Sequence, residues 1–131
     1  MAGIYPSTAG NAVPGLDDEF ESALAAIRGI HRGLDLIADG LRLLVLDRLS
    51  LDTTQTVAVA LAGSPDNEDA LTLIGYTVAR ITNPDSNPAL RELDFDQQKA
   101  VQQAGERLVF ALTDHHVHQH ASNASGAIHT D

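Results

Sequence analysis

The stretch "FESALAAIRGIHRGLDLIADGLRLL", residues 20–44, decides the fold class. Its apolar residues Phe20, Ala23, Ile27, Ile30, Leu34, Ile37, Leu41 and Leu44 recur in steps of three and four, which places them in one stripe of a helix. Upstream, Asp17 offers an N-cap, and Asp18, Glu19 and Glu21 fill the first turn, where carboxylates oppose the positive end of the helix dipole. The pattern predicts one long heptad-striped helix from Asp17 to about Arg48. Leu24, Val45 and Leu46 widen the stripe beyond a two-stranded coiled-coil seam, so the expected class is an all-α small bundle. Gly29, Gly33 and Gly40 interrupt this helix, each at about 1 kcal/mol relative to alanine. They read as exposed positions, with close approach of a partner helix as the functional alternative. Arg28, His31, Arg32 and Asp35 exclude a membrane dimer motif.

Three further helices follow from the punctuation downstream. In "LDTTQTVAVALAGSP", residues 51–65, Asp52 and Gln55 fit a capping box, and Gly63 with Pro65 closes a short second helix. Ser64 and Pro65 open a third, running to about Thr82, with Leu71, Ile74, Val78 and Ile81 on one face. The prolines of "TNPDSNP", residues 82–88, end it. Asp94 with Gln97 caps a fourth, striped by Val101, Ala104, Leu108, Ala111 and Leu112. The expected organisation is a flexible leader over residues 1–15, a single bundle of about four helices over 16–120, and a small, polar, disordered tail over 121–131.

Composition narrows the function classes. The 131 residues suit one domain, apolar residues make up 44% but aromatics only 4%, and the core is therefore expected to be aliphatic. Cysteine is absent, which removes disulfides, thiolate metal sites and cysteine nucleophiles. The N-terminus lacks a signal-peptide pattern and no apolar run reaches spanning length, so the expected compartment is the cytoplasm. A net charge of -10, spread along the chain, disfavours direct contact with nucleic acid or an anionic membrane. The single lysine among eight basic residues reads as GC-rich bacterial coding. The helices joined by "LAGSP" fail as a DNA-reading pair, because the second opens with "PDNEDA", acidic where phosphates would lie.

One cluster invites chemistry: "HHVHQH", residues 115–120. His115 and His118 continue the face of Val101, Leu108 and Ala111, while His116 and His120 pair at i,i+4 on a neighbouring face. Two imidazoles at that spacing chelate a transition metal weakly, whereas structural zinc takes four ligands and catalytic zinc three plus water. Asp114 with His118, and His31 with Asp35, repeat the spacing and could add ligands. His115, His116, His118 and His120 are thus the candidate metal residues; the preferred reading is a solvated helix end, with no cofactor beyond adventitious Zn or Ni. The Glu-x-x-His, His-Glu-x-x-His and His-Asp patterns of metal enzymes are absent, as are phosphate-binding glycine loops and the Gly-x-Ser-x-Gly elbow. No catalytic residue is assigned.

The expected function is therefore a non-enzymatic protein–protein interaction or regulatory module. It is expected to be homodimeric through Ile30, Leu34, Ile37, Leu41 and Leu44, with Leu43 and Leu46 at the seam's edge and another protein as a further partner. Two alternatives stand beside it: a metal-binding bundle using the four histidines, and an acidic phage-type inhibitor occupying a basic nucleic-acid site on a target protein. The latter would use acids such as Asp17, Asp18, Glu19 and Glu21, which more simply cap a helix.

Overall fold

The computed structural model describes residues 13–64 and 66–128. Among them the chain is all-α, with no strand. Six α-helices appear: α1 (Asp18–Ile27), α2 (Arg32–Leu46), α3 (Leu51–Ala62), α4 (Ala70–Ile81), α5 (Phe95–Leu112) and α6 (His115–Ile128), with a 3-10 turn at Pro88–Glu92. No helix among the described residues is long and apolar enough to cross a membrane. Contacts cluster into two units that meet in sequence at Leu49 and Ser50, where the sequence suggests a single bundle over 16–120.

The expected long first helix is two helices. Gly29 adopts φ 79°, a left-handed conformation that breaks a right-handed helix and that glycine reaches without a Cβ penalty. The freed Gly29 amide donates to Asp35 Oδ1 at 2.9 Å, and the His31 ring caps α2 by accepting from the Gly33 amide at 2.8 Å. Asp17 caps α1 as its sequence predicts, accepting from the Phe20 amide at 2.8 Å. Arg42 then grips Glu21 through both guanidinium nitrogens, at 2.5 and 3.0 Å, and Arg28 meets Asp39 at 2.5 Å. These pairs align α1 and α2 as an antiparallel hairpin, whose buried apolar side chains are Leu24 and Ala38.

In the second unit α5 is the longest helix, at 18 residues. It begins with the predicted capping box: Gln97 N donates to Asp94 Oδ1 at 2.8 Å and Asp94 N to Gln97 Oε1 at 3.2 Å. Two other boundaries move. The cap of α3 is Ser50, accepting from Thr53 N, rather than Asp52. Helix α4 opens at Asp69, five residues after Ser64, because the intervening turn passes through Asn67 at φ 57° before the Asp69 carboxylate can cap the helix. Residues 121–128, expected as disordered tail, form the second half of α6. Of the expected termini, residues 1–12 and 129–131 lie outside the described residues.

Small side chains bring these helices together. A Cβ on Gly105 would fall 2.0 Å from Thr82 Oγ1 and 3.2 Å from Ala79 Cα, and one on Gly75 would meet Leu112, so α4 and α5 run antiparallel at close range. Gln55 Nε2 donates to Ser125 O at 2.9 Å, which ties α3 to α6. The consequence is an inverted α4: Thr72 and Gly75 are buried, while Leu73, Ile74, Tyr76 and Ile81 are exposed.

Candidate functional site

The most constrained side chain in the second unit is His118, in the middle of the histidine run. It is 3% exposed and lies where three helix ends meet. Nδ1 faces Asp69 Oδ2 at 2.6 Å, and Nε2 donates to the carbonyl of Leu112 at the end of α5. Asp69 is the N-cap of α4: its Oδ1 accepts from Thr72 N at 2.9 Å and its Oδ2 from Ser64 N at 3.1 Å.

A neutral imidazole carries one N–H, yet both nitrogens of this ring face acceptors, so the geometry calls for the imidazolium. The electrostatics agree. Burial opposes the charged ring, but the Leu112 carbonyl, the Asp69 carboxylate and the Ala62 carbonyl outweigh it and raise the His118 pKa above its ordinary 6.5. Burial likewise opposes the Asp69 carboxylate. The Thr72 and Ser64 amides and the His118 ring, with the polar Thr72 side chain alongside, hold its pKa below 3.8. The buried Thr72 hydroxyl itself finds no hydrogen-bond partner among the described residues.

An imidazole oriented by a carboxylate is half of a nucleophile-activating triad. Here the other half is closed, since Nε2, the atom a general base offers, is committed to the Leu112 carbonyl and the ring is buried. The pair is built as a lock: it fastens α6 to the cap of α4 and the end of α5.

The other histidines do not join it. His115 and His116 are exposed neighbours with ring centroids 4.9 Å apart. The Asp114 carboxylate accepts from the His116 amide at 2.8 Å and faces its Nδ1 at 3.2 Å, which together lower the Asp114 pKa. His120 is exposed, and His31 is occupied as the cap of α2. Among the described residues no three His, Asp or Glu side chains converge to hold a metal ion. In the acidic cluster, Asp17 is spent as a cap and Glu21 on Arg42.

The residues expected at the seam divide differently. Ile30 lies in the turn before α2, exposed, rather than on a helix. Leu34 and Leu44 are half-buried, while Ile37 and Leu41 are exposed. Leu36, absent from the predicted stripe, is among the more exposed large apolar side chains of α2, with Leu43. The signal for it was its i,i+4 and i,i+7 spacing to Gly40 and Leu43, hidden by carrying the phase of α1 across the Gly29 break. On α2, Asp35, Asp39 and Arg42 turn to the hairpin, whereas Leu36, Ile37, Gly40, Leu41, Leu43 and Leu44 form an arc without charge. Arg32, one turn before Leu36, marks its rim.

A different surface lies on the second unit, where Gln55, Thr56, Val59, Ala60, Ser64, Glu68 and Ser125 line an open groove of about 520 Å³. Comparison with protein families, with characterised proteins and with solved structures finds no match.

Proposed function

We propose that the chain is a non-enzymatic protein–protein interaction or regulatory module that works as a homodimer through α2, in the cytoplasm and with another protein as its further partner. The observation that carries this reading is the uncharged arc of α2. Leu36, Ile37, Leu41 and Leu43 are left 36 to 71% exposed on a hairpin whose buried apolar side chains are Leu24 and Ala38. A unit this small cannot close a core alone, and a contiguous apolar face of this kind marks an interaction site.

Light scattering over a concentration series tests it. The wild-type chain is expected at about twice 13.9 kDa, and Leu43→Asp at the mass of one chain with its helical circular dichroism intact. Added salt is expected to tighten the dimer, because it screens repulsion between two copies of charge -10. A wild-type protein that stays at one-chain mass throughout overturns the reading.

A further inference from the structure

We propose that the α2 seam is a two-fold crossing of α2 on α2, with Gly40 at the point of closest approach; this deepens, and rests on, the homodimer reading. Both ridges of the uncharged arc pass through Gly40. The i±4 ridge is Leu36, Gly40, Leu44, and the i±3 ridge is Ile37, Gly40, Leu43. Four apolar side chains thus stand at the corners of a hole whose floor is glycine backbone, and within the chain a Cβ at Gly40 would meet nothing within 4 Å. A glycine in mid-helix with open space above it disfavours the isolated helix and gains its place when another backbone comes close.

The occupant that fits is a second copy. The charged side chains of the helix body are already engaged inside the hairpin, Asp39 with Arg28, Arg42 with Glu21 and Asp35 with the Gly29 amide. The arc therefore offers no charge for a foreign partner to read. A partner with charges at this patch would leave them desolvated and unpaired, whereas the same arc turned by a two-fold axis presents apolar side chains and a matching glycine hole. On such an axis residue 40 meets residue 40 of the other copy, and residue 37 meets residue 43.

The absence of cysteine makes the geometry directly testable in the full chain. Single substitutions Gly40→Cys, Leu36→Cys and Phe110→Cys are oxidised under mild conditions, and Ile37→Cys is mixed with Leu43→Cys. Gly40→Cys is expected to link to itself in high yield, and the mixed pair to link to each other. Leu36→Cys and Phe110→Cys are expected to link poorly, being too far from their own copies for disulfide geometry. As a second measure, Gly40→Leu fills the hole and is expected to weaken the dimer at least tenfold in light scattering while raising the helicity of the monomer. A dimer that persists unchanged in Gly40→Leu, or that links through Leu36→Cys or Phe110→Cys but not Gly40→Cys, overturns the crossing while leaving the homodimer standing. A wild-type chain at one-chain mass overturns both.

Discussion

The two units hold themselves together by opposite means. In the hairpin of α1 and α2 the polar contacts are exposed, Glu21 with Arg42 and Arg28 with Asp39, and large apolar side chains of α2 face outward. In the unit of α3 to α6 the polar contact is inside, His118 with Asp69, and the helices approach across glycine and alanine. Exposed ion pairs contribute little and are screened by salt. A buried pair fixes one arrangement and is severely penalised when one member is lost. The first unit is therefore specified mainly by a turn and by whatever covers its face; the second is specified by a lock.

The most direct way to break that contrast is His118→Ala. It leaves the Asp69 carboxylate buried without its counter-ion, and the second unit is expected to lose about 3 kcal/mol, the lower end for a pair close beneath a surface. That corresponds to a fall in melting temperature of roughly 10–20 °C by circular dichroism. A fall of only a degree or two would show that the pair is not what fastens α6.

The pH profile sharpens the same point. The His118 pKa is raised on folding, so its contribution is whole below 6.5 and is lost as pH rises through the folded value. The Asp69 pKa is lowered, so its contribution is whole above 3.8 and is lost as pH falls through the folded value. The lock is expected to be strongest between these two limits, and His118→Ala is expected to flatten the alkaline decline in a urea titration series. An alkaline decline that survives the substitution would assign it elsewhere.

The smallest effect belongs to the hairpin turn. Gly29→Ala places a Cβ at φ 79° and is expected to cost about 1 kcal/mol, with nothing else crowding the position. Hydrogen exchange should register this as faster exchange in α1 and α2 with α4 and α5 unchanged. Equal acceleration in both units would mean that they open together and that the contrast between them is false.

What the sequence made legible was whatever is local. The all-α class follows from periodicity, and the Asp17 cap and the Asp94–Gln97 box follow from residue types three positions apart. The break at Gly29 was hidden because the steps of three and four continue across it; a count of apolar spacing does not register one left-handed residue. Helix α4 misled for a different reason: Leu71, Ile74, Val78 and Ile81 make the better stripe, yet Thr72 and Gly75 are buried because small residues permit the closer approach to α5. The lock joins residues 49 apart, and no local pattern names such a pair. His118 was visible on the apolar side of its segment, but Asp69 was read as helix interior once the start of α4 was placed at Ser64.

The character of α6 has a consequence for how it detaches. Its one buried side chain is a histidine, and Val117, its large apolar residue next to that histidine, is 41% exposed. Releasing α6 therefore uncovers little nonpolar area, and the denaturant slope of that step is small, since the slope follows the surface newly exposed. Urea concentrations far below those that melt α4 and α5 change the attached fraction of α6 only gradually.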